Sequence, residues 1–487
     1  MNLTSKYNRH FDLVVIGSGA AGGAATDAAR AQGRSVAVIE KDKVGGDCPN
    51  YACVPTKALL RSAKVYALLK RAAEFGLHAG PVGFDWAEVM ARKERIIGRT
   101  GAASAEERYK KEGIALFKGA ASFADEHGVR VGTEVLGGDR IMIATGTRPT
   151  LPKIEGLEEA EPITNVEAVS LRKLPASVII IGGGPVGCEF AQLFSTFGVK
   201  VTVLEVAKTI LSHEEPELSQ IVQQALEKNG VSVLTEVEVK RLAKDGQQKK
   251  AQVRVRGQGR ELSAEEILVA AGREAQTDAL NLEAAGVEAG KDGVKINEYL
   301  QTSRPHIYAG GDVSGPMLYT HFAHYQGALA GRNMFADEPR RADYRVVPRV
   351  TFTDPEIASV GMTEGQARQE GRQVIGAKSE IGALGKALVE SEDQGMVKIV
   401  ADARTGEILG TSIVAPAAGE MIHEVVAAMK AGATAADLAA AVHAFPTFAE
   451  GIKVAAGAWM SAREHLRRHE QRHGGKEQEE GGARDER

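Results

Sequence analysis

Cysteine is scarce in this chain: three residues, Cys48, Cys53 and Cys188, in 487. That excludes a disulfide-stapled secreted scaffold, which depends on many cysteines in a short chain. No apolar run reaches the roughly 18 residues that cross a bilayer as a helix. Neither sign of charge is in excess. A net charge of -4 and a pI near 6.4 give no footprint for nucleic acid or for an anionic membrane. Aromatic residues make up 5% of the chain and hydrophobic residues 43%, an ordinary share for a globular α/β protein. The N-terminal stretch MNLTSKYNRHFDLVVIG lacks the apolar core of a secretion signal, so the expected location is cytoplasmic. The length suggests about three domains.

Glycine, by contrast, is abundant and placed in patterns. In FDLVVIGSGAAGGAATDAARAQGRSVAVIEKD a β-branched run, Leu13 to Ile16, leads into Gly17, Gly19 and Gly22. An alanine-rich helical pattern follows, then a second apolar strand that ends in Glu40. Strand, glycine turn, helix, strand and acid together form a dinucleotide fingerprint. The first glycine permits the tight turn, the second lets a pyrophosphate approach the backbone, and the third lets helix and sheet pack closely. The helix N-terminus supplies amides and a positive dipole end for phosphate. The unit recurs as ASVIIIGGGPVGCEFAQLFSTFGVKVTVLE, with Gly182, Gly184, Gly187 and a terminal Glu205. Two dinucleotide folds imply two dinucleotides, and FAD with a nicotinamide cofactor is the simplest donor and acceptor pair. Beyond residue 345 strand-like runs precede an apolar helical pattern, which suggests an α+β domain. The final stretch, 461–487, is heavily charged, with Leu466 its one large apolar residue, and is expected to be disordered.

The segment GGDCPNYACVPTKALL carries two of the three cysteines. Zinc needs two further Cys or His ligands, and no second cluster is evident. A structural disulfide between positions so close would close too small a loop to stabilise much. The redox reading is left as the main one. A helical pattern begins at Cys53, where a helix N-terminus stabilises a thiolate. A regular helix holds positions five apart too far from one another to bridge, so the turn bearing Cys48 is expected to be distorted, with Pro49 and Pro55 marking a non-ideal start.

With these motifs in order (GSGAAG, GGDCPNYACVPTK, IATGTRP, GGGPVGCE, AAGRE, IYAGGDV, FTDPEIASVG and HAFPTFAE), the chain resembles the class I pyridine nucleotide–disulfide oxidoreductases from Phe11 to about Trp459. This is the family of dihydrolipoyl dehydrogenase, glutathione reductase and mercuric reductase. The resemblance implies an α/β fold with two Rossmann-like dinucleotide-binding domains and a C-terminal α+β dimerisation domain. The boundaries would be 1–160 for the first part of the FAD domain, 161–285 for the NAD(P) domain, 286–345 for the second FAD part, 346–460 for dimerisation and 461–487 for the tail. It assigns FAD to Gly17, Gly19, Gly22, Glu40, Gly46, Lys57, Ala121, Thr145, Gly146 and Asp312. It assigns the nicotinamide dinucleotide to Gly182, Gly184, Gly187, Glu205, Val237 and Gly272. Cys53 would face the flavin and Cys48 would be the interchange thiol. Lys57 would sit near the flavin and pair with Glu189. Glu205 favours NADH over NADPH, because a carboxylate accepts from a ribose 2′-hydroxyl and repels a 2′-phosphate; Lys208 softens that preference and leaves NADPH open.

The departures from the family pattern concern the acceptor. Where dihydrolipoyl dehydrogenase and glutathione reductase read His-x-His-Pro-Thr followed by Glu, this chain reads His443-Ala444-Phe445-Pro446-Thr447, with Glu450 kept as a catalytic candidate. Phe445 carries no proton, and His443 is expected to be packed or solvent-facing rather than a substitute. Mercuric reductases also lack that histidine, but the tail here has none of the C-terminal cysteines they present. Asp47 stands where the family usually has Thr, and Ala52 where it usually has Gly; a carboxylate beside Cys48 is expected to disfavour its thiolate. His465, His469 and His473 fall on one helical face, an arrangement more often a solvated helix end than a metal site. The resulting expectation is a homodimer that passes electrons from NAD(P)H through FAD and Cys48–Cys53 to a small acceptor (disulfide, thiol-bound metal ion or quinone), in the manner of mercuric reductase. Dihydrolipoyl dehydrogenase, a diaphorase acting on quinones from the flavin, and a redox-sensing flavoprotein with little turnover are the alternatives.

Overall fold

The structure, a computed structural model, describes residues 6–482, with side chains described through Gln471. It forms two compact units that interleave along the chain. One comprises Met1–Gly182, Leu193–Leu204 and Glu238–Asp343; the other comprises Gly183–Gln192, Glu205–Val237 and Tyr344–Arg487.

The first unit is built around a seven-stranded sheet. Strand β1 (Arg9–Ile16) lies between β2 (Val36–Glu40) and the strand Glu134–Ile143 and is parallel to both. Ala115–Lys118 extends the parallel edge beyond β2, and Ile307–Ala309 runs parallel to Glu134–Ile143. Alternate residues of β1 serve opposite faces: Val14 and Ile16 join one apolar cluster, Leu13 and Val15 another. This two-sided burial is why the strand reads as a continuous apolar run and not as alternation. Helix α1 (Ala20–Arg30) packs on one of these faces through Ala21, Ala25 and Ala29. The helix Thr320–Asn333 lies against α1 at close range, because Gly327 and Gly331 present no side chain. A Cβ at either would stand 2.0 Å from the Ala21 carbonyl oxygen or 2.7 Å from that of Ala25.

The second parallel set has Ser177–Ile181 between Lys200–Leu204 and Glu266–Val269. An antiparallel hairpin, Gln248–Val255 with Gln258–Ala264, precedes the last of these strands.

In the second unit, residues from 348 onward form a five-stranded antiparallel sheet. Its order is Pro348–Thr351, Glu356–Gly361, Ile408–Ala415, Met396–Asp402, Val374–Glu380. The helices Ala418–Ala431 and Glu450–Gly482 accompany it, and Ile413, Ile422, Val425, Ile452 and the fully buried Trp459 fill the core. The two Rossmann-like folds and the C-terminal α+β domain match the architecture expected from the sequence. The tail differs from expectation: the last helix continues through Gly482, while 483–487 lie outside the described residues. No described helix is long and apolar enough to cross a membrane.

Candidate functional site

The cysteine segment folds as two helices. A single turn, α2 (Asp47–Asn50), is broken at Tyr51 and Ala52, whose φ angles of -138° and -128° leave the helical range, and α3 (Cys53–Lys70) then begins at Cys53. This is the distortion that brings positions five apart within reach. Cys48 and Cys53 are free thiols, half-buried and hydrogen-bonded to one another. The contact with Cys53, reinforced by burial, pushes the Cys48 thiol well above its ordinary range. Cys53 Sγ also lies 3.3 Å from the hydroxyl of Thr320, at the start of the helix Thr320–Asn333. No local pattern in the sequence distinguishes Thr320; its distance of 267 positions from Cys53 hid it. Lys57 is half-buried one turn into α3. Cys188 plays no part in this chemistry. It is fully buried, donates to the Gly183 carbonyl at 3.3 Å, and burial raises its thiol far above neutrality.

The first glycine turn sits at the carboxyl ends of β1 and Glu134–Ile143. Gly17 has φ +99°, and a Cβ there would meet the Ala144 carbonyl oxygen at 2.4 Å. A Cβ at Gly22 would meet the Gly17 oxygen at 1.9 Å. Both positions exclude any side chain by packing alone. Gly19 is different: its Cβ would find nothing nearer than the Gly46 Cα at 3.9 Å. Glu40 is buried and ties the turn together. Its Oε2 accepts from the Ser18 amide at 2.9 Å and the Ser18 hydroxyl at 2.7 Å, and its Oε1 from the Asp42 amide at 2.9 Å. A carboxylate offers about four acceptor sites, so Glu40 keeps capacity for one more donor.

The second turn repeats the device. Gly182 has φ +115° and would carry a Cβ 2.3 Å from the Ala270 oxygen. Glu205 accepts from the Gly183 amide at 2.6 Å through Oε2 and from the Ala207 amide at 2.7 Å through Oε1. Val237 follows closely, its amide donating to the Glu205 carbonyl at 2.9 Å. Gly184 has open space where a Cβ would lie, and Gly187 lies within the helix Pro185–Thr196.

Other candidate residues line the first unit. Thr145 donates its hydroxyl to the Gln276 carbonyl at 2.8 Å, and the Gly146 carbonyl accepts from the Gln276 amide at 3.0 Å. Gly272 accepts from the Thr150 amide at 3.0 Å, and Ala121 is buried at the start of an edge strand. Asp312 opens a short 3-10 turn just after the Ile307–Ala309 strand and accepts from the Thr147 hydroxyl at 3.2 Å. Burial raises its carboxyl above the usual range, against the opposing charge of Arg273. The space left at Gly19, the remaining acceptor capacity of Glu40 and the amide-rich start of α1 fit a dinucleotide phosphate and ribose.

Three further residues near the C-terminal motif and the second turn have partners of their own. Glu189, buried in the second unit, accepts from the Phe352 amide at 3.0 Å. Glu450 accepts from the Thr447 amide at 3.0 Å, closing the first turn of the last helix as a cap. His443 is held between the Glu424 carboxylate at 2.9 Å and the Ala441 carbonyl at 3.2 Å, so it is a packed residue. Phe445, in contrast, is 77% exposed. Among the described residues no group of three His, Cys, Asp or Glu could hold a metal ion, and the side chain of His473 lies outside those residues.

Comparison with known proteins identifies the family. Mercuric reductase of Bacillus cereus is 36% identical over 456 residues, spanning 93% of this chain and 72% of that protein. A dihydrolipoyl dehydrogenase of Bacillus subtilis (strain 168) is 36% identical over 447 residues, spanning 90% and 96%. Among solved structures, the HOCl-induced flavoprotein disulfide reductase RclA of Escherichia coli, as its Cu(II) complex, superposes with a TM-score of 0.83 at 27% identity over 92% of this chain and 99% of RclA. Residues 11–328 match the pyridine nucleotide-disulphide oxidoreductase family and residues 347–456 match its dimerisation domain. The chain therefore belongs to the pyridine nucleotide-disulphide oxidoreductases, a family of FAD enzymes that use NAD(P)H.

Proposed function

We propose that this protein is a homodimeric NAD(P)H oxidoreductase that passes electrons through Cys48 and Cys53 to a small thiol-bound metal ion, as the mercuric reductase-like relatives suggest. The observation that carries the redox assignment is the pair of contacting thiols with Cys53 at the first position of an 18-residue helix. The helix dipole stabilises a thiolate at that position and leaves Cys48 as the partner that exchanges with substrate. Bound FAD would supply the two-electron step between nicotinamide and disulfide. Overall, NAD(P)H and one proton reduce the disulfide to two thiols; the two thiols then return to the disulfide, giving two electrons to the metal ion and releasing two protons as its thiol ligands leave.

The chain's own residues bind and orient. Gly19, Glu40 and the start of α1 hold the flavin dinucleotide; Thr145, Gly146 and Asp312 line its flavin side. Gly182, Gly184 and Gly187 take the nicotinamide dinucleotide. Glu205 has about two acceptor sites left after its two backbone bonds, which favours a ribose 2′-hydroxyl and hence NADH. Phe445 supports the choice of acceptor: a metal ion needs no proton from that position, whereas oxidation of a dithiol does. Dihydrolipoyl dehydrogenase is the second reading, favoured by Glu205.

Anaerobic reduction by NADH and by NADPH, followed by challenge with lipoamide, oxidised glutathione, Hg²⁺ in excess thiol and a quinone, separates the acceptors. The expected result is metal turnover that disappears in Cys48→Ser and in Cys53→Ser. Quinone turnover that survives both substitutions would defeat the reading.

A further inference from the structure

We infer that Arg273 is a positioning residue for the redox turn: its pairing with Asp47 cancels the negative charge beside Cys48 and ties the turn, through Thr147, to Asp312. The inference rests on reading Cys48 and Cys53 as the redox pair. Asp47 is the first residue of α2 and the chain neighbour of Cys48. Taken alone, a carboxylate there would oppose the thiolate. Arg273 removes that opposition. Its Nη2 lies 2.7 Å from Asp47 Oδ2, and the pair is 17% and 35% exposed.

The guanidinium is itself fixed. It arises from the strand Arg273–Ala275, which runs antiparallel to Thr147–Pro149. Its Nε donates to the Thr147 hydroxyl at 2.8 Å and its Nη2 to the Thr147 carbonyl at 3.2 Å. Because that hydroxyl accepts from Arg273, its own proton is directed to Asp312, 3.2 Å away. One chain of hydrogen bonds thus runs from the redox turn through Arg273 and Thr147 to Asp312. Asp47 pairs with the guanidinium directly, and Asp312 is joined to it through the Thr147 hydroxyl. The charges are felt at the far end: burial, with Asp47 adding to it, raises the Asp312 carboxyl, while Arg273 and the Thr147 hydroxyl favour its ionised form. An arginine suits this position because its planar fork serves a carboxylate and a hydroxyl at once, which a lysine ammonium does not match.

The test uses the FAD-loaded enzyme in a Cys53→Ser background. There the rate of Cys48 alkylation by iodoacetamide is followed against pH, with the modified peptide identified by mass spectrometry. Arg273→Gln leaves the Asp47 charge unopposed, and the midpoint is expected to move up by about one pH unit, which slows alkylation about tenfold at neutral pH. Asp47→Asn should move the midpoint down. Asp47→Asn with Arg273→Gln should return to within about threefold of the parent, and Arg273→Lys should restore most of the rate by charge alone. An unchanged midpoint in Arg273→Gln overturns the inference. So does a double variant as slow as Arg273→Gln, because the loss would then be structural and not electrostatic. Should Arg273→Gln fail to fold, Asp47→Asn decides, and an unmoved midpoint there is equally fatal. None of these readouts requires turnover. Whether the pair is redox-active is settled separately, by counting thiols gained when the parent enzyme is reduced with NADH.

Discussion

Gly19 offers a substitution that separates folding from cofactor binding. Its backbone, at φ -66° and ψ -169°, is open to any L-residue. A methyl group there would meet the protein no closer than 3.9 Å, at the Gly46 Cα. Gly19→Ala should therefore fold with stability within about 0.5 kcal/mol of the parent, the range of a substitution that disturbs no contact. The same methyl would occupy the space into which a pyrophosphate must come. Forcing an extra methyl into a filled contact costs about 1–3 kcal/mol, equivalent to roughly 5- to 150-fold weaker FAD binding. Gly22→Ala is the contrasting case. Its methyl would lie 1.9 Å from the Gly17 carbonyl oxygen, so α1 must separate from its turn and the fold itself is weakened. Flavin fluorescence titration of the deflavinated protein, with thermal unfolding of the same samples, reads both quantities. FAD affinity unchanged in Gly19→Ala would refute the placement of the phosphate at that turn.

Four further expectations rest on the geometry. Lys398, 5% exposed, sits 3.0 Å from Glu215, 2.9 Å from Glu217 and 2.9 Å from Glu364; Lys398→Met removes the cation from the buried Glu215 carboxylate and should cost about 3–5 kcal/mol in denaturant unfolding. Burial opposes ionisation of Glu217 and Glu364, yet their lysine and arginine partners hold both carboxyls below the usual 4.5. A depressed folded-state value stabilises above the unfolded one, so stability should fall as pH drops below about 4.5, and Lys398→Met should blunt that fall in urea melts taken across pH. Glu205→Gln weakens repulsion of a 2′-phosphate, so the ratio of kcat/KM for NADH to that for NADPH should drop about tenfold, a single interaction of about 1.4 kcal/mol; an unchanged ratio in steady-state assays would remove Glu205 from cofactor choice. Phe445→His supplies a proton carrier at an exposed position, and dihydrolipoamide oxidation should rise at least tenfold, toward the 10²–10⁴ range of acid–base catalysis. Turnover no better than the parent's would mean that Phe445 does not limit thiol chemistry.

What the sequence disclosed was local. The glycine turns, the apolar run of β1 and the break ahead of Cys53 each arise from residues within one or two turns of one another. Backbone geometry then follows from residue type: only glycine tolerates the carbonyl packed against Gly17, and only a distorted turn lets Cys48 meet Cys53. Pairings across the fold carry no such signature. Asp47, read along the chain, predicts a suppressed thiol; in three dimensions it is matched by Arg273, 226 positions away. Thr320 reaches Cys53 from a helix with no distinguishing pattern. Glu450 is a catalytic candidate by its place after Pro-Thr; in the structure its carboxylate bonds the Thr447 amide three residues back, a role that any helix start can ask of a glutamate. The charged stretch after Trp459 has the composition of a disordered segment, and its backbone continues the last helix through Gly482.

On the proposed reading, Cys48 and Cys53 accept electrons from NAD(P)H through the flavin. Anaerobic titration of the oxidised holoenzyme with NADH or NADPH, with accessible thiols counted at each point under denaturing quench, tests it most directly. Two new thiols should appear as the first equivalent of reductant is consumed, peptide mapping should place them at Cys48 and Cys53, and neither Cys48→Ser nor Cys53→Ser should gain a pair. Flavin that bleaches fully with one equivalent of either nucleotide while the thiol count stays constant would contradict it.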